Sequence, residues 1–303
     1  MRSLIVGYGS IGKRHAQVLS SLGCHVSLVT SQKTSDYRGY ATIEAALAQE
    51  PIDYVIISNP TYLHHASLVE LIQCGYSGIV FIEKPLYAKL ELLPDHRIQK
   101  ILIGYNLRFC DQLLDIKKSL QDEELISFST QVGQYLPDWR NTDYRQCYSA
   151  KNKHGGGVLR DLSHELDYSL WICGRGLEVT AIGGQYSELE IDADDVYSVM
   201  MRCEKCPVVS LQLNYLNRIP RREILIQTKK HTVGLDLIKG ISIVDGAIKS
   251  HAPDSLVKTY VAQHQAVITS DFSNFCHYEQ GLAIMKLIEA IEHANLSKSW
   301  VSL

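Results

Sequence analysis

Three stretches of the chain place residue types at spacings that could do chemistry. Gly7-Tyr8-Gly9-Ser10-Ile11-Gly12 sets glycines at the first, third and sixth positions, directly after the apolar run Leu4-Ile5-Val6 and at the mouth of an amphipathic helix. In such a turn the first glycine permits the reversal and the second lets backbone amides approach a pyrophosphate. The third lets helix and strand pack closely, and the helix N-terminus faces the negative charge. Gly7, Tyr8, Gly9, Ser10, Ile11 and Gly12 are therefore expected to hold a dinucleotide, since an idle glycine-rich turn does not account for all three glycines in register. The second strand ends Val29-Thr30-Ser31-Gln32-Lys33, with no acid before Asp36. An acid there would hold the ribose 2′-hydroxyl of NAD, whereas Thr30, Ser31 and Lys33 suit a 2′-phosphate that a carboxylate would repel. NADP is favoured over NAD, with an ordinary solvated lysine as the competing reading of Lys33.

The second stretch is Glu83-Lys84-Pro85, which follows the apolar strand 79–82 and so falls at the carboxyl edge of a sheet, where ligands bind in such folds. An ammonium at that edge can stabilise negative charge developing on a bound ligand. The competing reading is an exposed lysine in a turn. The third stretch runs from Gly155-Gly156-Gly157 into a helical pattern over 157–172 that carries Asp161 and His164. On one continuous helix these two are roughly 60° apart and share a face, while Asp167 is rotated roughly 120° from Asp161 and supports rather than reacts. An imidazole titrating near neutrality suits proton exchange, against the alternative of a helix-packing histidine. His154 to Gly157 superficially matches a lipase oxyanion loop, but no G-x-S-x-G elbow accompanies it. The glycines are read instead as letting the chain pass close to a ligand.

The elements that must position these residues alternate in type over the first hundred positions. Apolar strands at 3–7, 25–29, 54–58, 79–82 and 101–105 are interleaved with helical patterns at 13–22, 43–48 and 66–74. Val55-Ile56-Ile57 and Ile101-Leu102-Ile103 are continuous apolar runs, as strands covered on both faces require. This is an α/β pattern, a doubly wound parallel sheet. After a helical stretch at 110–120 the chain is mostly strand: 127–135, 179–190, 196–202, 208–216, 222–228 and 232–237, joined by short turns that argue for an antiparallel sheet. A last helix is expected over 278–293. The division expected is a dinucleotide-binding domain over 1–120 and an α+β domain over 121–303.

The chain has 303 residues and a net charge of −3, with no basic excess and no long charged run, which argues against nucleic acid as a partner. Met1-Arg2 leads straight into the first strand rather than into a signal sequence, and no apolar run reaches a membrane span. A soluble, cytoplasmic protein is expected, and its eight cysteines are expected to be reduced thiols. Cys203-Glu204-Lys205-Cys206 lies between two strand-like runs and reads as a hairpin turn. With no second pair to complete a zinc set, no metal is expected.

Taken in order, five motifs resemble the family of glucose-fructose oxidoreductase, inositol 2-dehydrogenase and their rhizopine-catabolism relative. They are Gly7 to Gly12 with Lys13-Arg14-His15, Ser58-Asn59-Pro60 with His64, Glu83-Lys84-Pro85, Gly104-Tyr105-Asn106 with Arg108, and the triple glycine with Asp161 and His164. The resemblance covers nearly the whole chain. It implies a Rossmann domain followed by a domain on an open, mainly antiparallel sheet that commonly supports homodimers or homotetramers. It implies a nicotinamide cofactor held also by Ser58, Asn59, Pro60, His64 and Glu83, with Lys84 beside the nicotinamide and the reacting oxygen. It further implies hydride transfer to or from a carbinol or keto carbon of a sugar-like substrate. A cis Lys84–Pro85 bond would fix the lysine's direction. The family's usual Asp-to-His spacing is four; here it is three, and the fourth position is Glu165. Either His164 still reaches the substrate or Glu165 has replaced it, and the imidazole favours His164.

The irregular stretch 135–148 contributes Trp139, Arg140, Tyr144 and Arg145 as substrate-binding candidates, since aromatic faces pack on sugar rings and arginines clamp phosphate or carboxylate. A surface loop with Trp139 tucked into the core is the alternative. Arg108 either holds an anionic group or pairs with Asp111. In the expected mechanism His164 exchanges the hydroxyl proton, Lys84 polarises the oxygen, and Asp161 holds the substrate or tunes Lys84. Two rivals stand beside it: a non-catalytic dinucleotide-binding regulator, and a glycosidase assisted by transient oxidation in which NAD is regenerated.

Overall fold

The computed structural model describes residues 1–139, 141–251 and 255–303. The chain divides into two compact units, Met1–Asn106 with Val257–Leu282, and Leu107–Leu256 with Ala283–Leu303.

The first unit opens β1 (Arg2–Val6), α1 (Ser10–Ser21), β2 (His25–Val29), β3 (Arg38–Tyr40), α2 (Ile43–Gln49), β4 (Tyr54–Ile57), α3 (His64–Gln73), β5 (Ile79–Ile82) and β6 (Lys100–Ile103). The strands lie side by side in the order β6-β5-β4-β1-β2-β3, all parallel. Every residue of β4 and β5 is buried, which is why those segments read as unbroken apolar runs rather than as alternation. Helix α1 turns Gly12, His15, Ala16 and Leu19 inward. Helix α2 starts where the Thr42 side chain accepts the Ala45 N–H at 3.1 Å. The strand order reverses between β1 and β4, so the loops leaving their carboxyl ends flank the crevice where such sheets bind ligands.

The second unit contains α4 (Asp111–Ser119), β7 (Leu125–Gly133), a run of 3₁₀ turns, α5 (Val158–Asp161) and α6 (Ser163–Cys173). Then come β8 (Gly176–Gly184), β9 (Val196–Cys203), β10 (Val208–Asn214), β11 (Arg221–Thr228), β12 (Thr232–Asp236), β13 (Ile241–Val244) and β14 (Ala247–Ser250). The chain next returns to the first unit through α7 (Ser255–Ile268) and β15 (Cys276–His277), the latter antiparallel to β6. Helix α8 (Tyr278–Ser297) and β16 (Val301–Ser302) close it. The second sheet has nine strands in the order β14-β13-β12-β11-β7-β10-β9-β8-β16. Burial alternates strictly along β9 and on β11 from Ile224, the signature of a sheet with one face covered and one open.

Several expectations change. The units divide at 106/107 rather than near 120, and residues 257–282 rejoin the first unit, which no single boundary can express. The second sheet is mostly antiparallel, but β7 and β10 pair in parallel, because the excursion through α5, α6, β8 and β9 returns the chain beside β7 in the same direction. Cys203 and Cys206 do frame a hairpin turn, with the Cys203 N–H donating to the Cys206 carbonyl at 3.0 Å. All eight cysteines are free thiols. Among the described residues no helix is long and apolar enough to cross a membrane, and no group of three His, Cys, Asp or Glu side chains could hold a metal ion.

Candidate active site

In the turn from β1 to α1 the three glycines are needed for three different reasons. Gly7 has φ +96°, and a Cβ there would lie 2.6 Å from the Asn59 backbone. At Gly12 a Cβ would meet the Gly7 carbonyl oxygen at 2.1 Å, so this glycine lets the helix seat on the turn. Gly9 differs: its backbone is ordinary extended chain, φ −75° and ψ −166°, and its Cβ position has nothing within 4 Å. Neither strain nor packing asks for glycine at 9; a ligand pressed against the backbone does. Gly9 is also the residue preceding the first turn of α1, and no side chain caps that turn. The chain's own geometry thus fits a dinucleotide pyrophosphate. Ser10 is exposed, and Tyr8 and Ile11 are half-buried beside it.

The loops after β1, β4 and β5 are tied into one edge. Ser58 Oγ donates to the Gly7 carbonyl at 3.0 Å, and Asn59 Nδ2 donates to Ser67 Oγ at 2.8 Å. His64, 1% exposed, lies with Nε2 3.0 Å from the Asn59 carbonyl and Nδ1 3.1 Å from that of Leu86. Burial lowers its pKa against the pull of these carbonyls, and the ring sits between the two loops. Glu83 likewise faces inward, its Oε1 2.9 Å from His15 Nε2 and its Oε2 accepting the Lys84 backbone N–H at 3.2 Å. His64 and Glu83, expected to touch cofactor, also shape the turn that carries Lys84. The Lys84–Pro85 bond is cis, and Lys84 is half-buried.

At the end of β2, Thr30 Oγ1 accepts the Gln32 N–H at 3.1 Å, and Ser31 and Lys33 are exposed. Gln32 was not among the expected residues, yet its side-chain amide donates to the Tyr8 carbonyl at 3.2 Å and links this corner to the glycine turn.

In the second unit the expected single helix is two: α5 ends at Asp161 and α6 begins at Ser163, with Leu162 at φ −97° and ψ 28° between them. The shared-face argument for Asp161 and His164 therefore lapses, and what distinguishes them is burial. From Gly155 through Ser169, His164 alone is not buried. Glu165, the rival for its role, is fully buried and paired with Arg222 at 2.9 Å. Asp161 Oδ2 accepts the Tyr215 hydroxyl at 2.7 Å, and Trp139 packs edge-on against the same Tyr215 with ring centroids 5.2 Å apart. Tyr215 is a residue sequence reading passed over. Trp139, itself half-buried, donates from Nε1 to the Gln134 carbonyl at 3.1 Å.

The triple glycine also has an internal explanation. A Cβ on Gly156 would meet the Tyr148 carbonyl at 2.2 Å, and one on Gly157, at φ +98°, the Asp194 carboxylate at 2.3 Å. These glycines admit the chain's own atoms rather than a ligand. Arg108 is buried and forks onto Asp167, Nη2 to Oδ1 at 2.7 Å, rather than facing an anionic ligand. Arg145 is held on the surface by Asp143 at 2.8 Å and Glu190 at 3.2 Å, and the Tyr144 hydroxyl accepts the Glu190 N–H at 3.3 Å. Arg140 lies outside the described residues.

Asp194 caps α5 by accepting the Leu159 N–H at 3.1 Å. Burial pushes its carboxyl up to about 6, against the pull of that N–H and of Arg160. A folded-state pKa above the free value means the proton stabilises the fold: that contribution is complete below the free carboxyl range and is lost as pH rises through about 6. Asp194→Asn removes the titration. Between pH 4 and pH 7.5 the variant's unfolding free energy should gain on wild type by roughly 2 kcal/mol, read by urea denaturation at each pH. A constant difference across that interval would contradict the assignment.

Residues 1–96 match the family model described as the oxidoreductase family, NAD-binding Rossmann fold, and residues 123–233 match the GFO/IDH/MocA C-terminal domain. No curated protein matches the chain by sequence. Among solved structures, levoglucosan dehydrogenase in complex with NADH and L-sorbose aligns over 100% of this chain and 98% of its own, at 14% identity and TM-score 0.84. The WlbA dehydrogenase from Bordetella pertussis, in complex with NADH and UDP-GlcNAcA, aligns over 100% and 97%, at 18% identity and TM-score 0.82. A myo-inositol dehydrogenase from Corynebacterium glutamicum aligns over 100% and 98%, at 18% identity and TM-score 0.79. At these identities the likeness is one of fold.

Proposed function

This chain belongs to the Gfo/Idh/MocA oxidoreductase family, and on that premise we propose that it transfers a hydride reversibly between a nicotinamide dinucleotide and a carbinol or keto carbon of a sugar or sugar-derived substrate. The observation that carries the reading is the tied carboxyl edge of the first sheet. A glycine turn with open space at Gly9 is bonded through Ser58 to the β4 loop, and His64 links that loop to the turn bearing Lys84. When bound, the dinucleotide supplies the hydride acceptor or donor. Lys84 polarises the substrate oxygen, His164 takes or returns the hydroxyl proton, and Asp161, oriented by Tyr215, receives a substrate hydroxyl. Trp139 and Tyr144 offer aromatic faces to a sugar ring. The sugars and polyols named with the similar structures support this class of substrate.

The preferred cofactor in this proposal is NADP(H), because Thr30, Ser31 and Lys33 stand where NAD enzymes keep an acid. Lys33→Glu should then shift the NADPH-to-NADH ratio of kcat/KM at least about tenfold towards NADH. The open face of the second sheet exposes Ile182, Met200, Leu225 and Ile243, an apolar surface that a second copy covers in a homodimer or homotetramer. The eight free thiols suit the cytoplasm. The deciding experiment screens sugars, polyols and sugar nucleotides with both cofactors, following reduced nicotinamide. Stoichiometric cofactor turnover supports the proposal. Product formation without net cofactor change points to the oxidation-assisted glycosidase, and a protein that binds neither cofactor at millimolar levels overturns it.

A further inference from the structure

Behind Lys84, within the first unit, four buried side chains form a line. Glu83 Oε1 lies 2.9 Å from His15 Nε2, His15 Nδ1 lies 2.8 Å from His264 Nε2, and His264 Nδ1 lies 3.1 Å from the Tyr54 hydroxyl. His15, His264 and Tyr54 are all 0% exposed. They arrive from α1, α7 and β4, so the line is assembled by the fold and not by any local motif.

Bonding rules orient it. A carboxylate only accepts, so His15 donates from Nε2 to Glu83; with that ring neutral, its Nδ1 is a lone pair. That lone pair requires a donor, which makes His264 the Nε2–H tautomer and leaves its Nδ1 to accept from the Tyr54 hydroxyl. Burial disfavours the charged ring at His264 and the phenolate at Tyr54. The far oxygen of Glu83 accepts the Lys84 backbone N–H at 3.2 Å.

We propose that His264 is a positioning residue for Lys84: by donating to His15 Nδ1 it fixes the imidazole that holds the Glu83 carboxylate against the Lys84 backbone amide. The proposal rests on the reading of Lys84 as the group at the reacting oxygen. No motif marks His264, which stands about 180 residues beyond the turn it serves. Tyr54 is buried at the end of the line, so the line orients side chains and leads no proton to solvent.

The test reads nuclei rather than turnover. In the full-length ¹⁵N-labelled protein, long-range proton–nitrogen spectra should show both rings neutral with the proton on Nε2. In His264→Leu, the His15 Nδ1 resonance should move and the Lys84 amide should exchange with solvent at least about tenfold faster, while amides of β1 keep wild-type rates. His264→Gln, whose carboxamide can donate to His15, should restore both signals. A wild-type His15 protonated on Nδ1 overturns the proposal, as does Lys84 exchange unchanged in a folded His264→Leu. If the leucine variant does not fold, the wild-type tautomers and the glutamine variant decide, since loss of Lys84 protection in the latter, with His15 still bonded, also refutes it. Failure to find an oxidisable substrate would leave these resonances untouched, so the two readings fail separately.

Discussion

Lys84→Ala is expected to lower kcat/KM by roughly a thousandfold while changing the dissociation constant for the reduced cofactor by less than about threefold. The turn is held by groups other than the ammonium: His64 near the Pro85 and Leu86 carbonyls, and Glu83 against His15 and the Lys84 backbone. On the proposed reading, truncation removes the charge that polarises the reacting oxygen and keeps these bonds of the loop. The loss should fall on kcat, because an interaction that grows as negative charge develops contributes more to the transition state than to ground-state binding. Fluorescence titration of the reduced cofactor, run beside steady-state kinetics, separates the two quantities. Parallel loss of cofactor affinity would show that Lys84 serves binding, and the assignment of its role would fall.

The glycine turn yields the second large effect, as a contrast between neighbours. Gly9→Ala places a methyl in open space on extended backbone, so stability should hold or rise by up to about 1 kcal/mol. The same methyl occupies the approach of a pyrophosphate, and cofactor affinity should fall at least about tenfold, or 1.4 kcal/mol. Gly12→Ala drives a methyl to 2.1 Å from the Gly7 carbonyl oxygen and should destabilise the fold by about 2–3 kcal/mol before any ligand is added. Thermal melts with and without cofactor distinguish the pair. If Gly9→Ala bound cofactor as tightly as wild type, the dinucleotide reading of the turn would have to be given up.

The first sheet was largely legible because its signals are local. Continuous apolar β4 and β5, the glycine spacing and the Glu83-Lys84-Pro85 turn each announce themselves within ten residues, and the parallel order follows from alternation with helices. Helix α7 was missed because most of the face it buries is polar: Thr259, Gln263 and His264 are 0%, 1% and 0% exposed, and beside them only Val267 is a fully buried apolar residue among the described residues of the helix, too few to mark a period. The return of 257–282 to the first unit was hidden with it. Arg108 looked like an anion clamp because its partner, Asp167, stands 59 positions away, beyond any local rule. The break at Leu162 carries no glycine or proline to betray it, and so one helix was read where two exist. Tyr215 and Asp194 reach the neighbourhood of Asp161 and α5 from segments of the second unit where polar and apolar residues alternate anyway, which leaves them looking like ordinary sheet positions.

Residues 107–256 are, topologically, an insertion in the first unit, and this has a consequence for biosynthesis. A nascent chain releases β1 to β6 early, but their edge strand β15 and the helix bearing His264 leave the ribosome only after fourteen strands have been made. The usual order, in which the amino-terminal domain matures first, cannot hold here. The dinucleotide-binding half must wait, unfinished at one margin, while most of its successor is translated, and a transcript truncated after codon 250 would encode a glycine turn without the imidazole that completes its support.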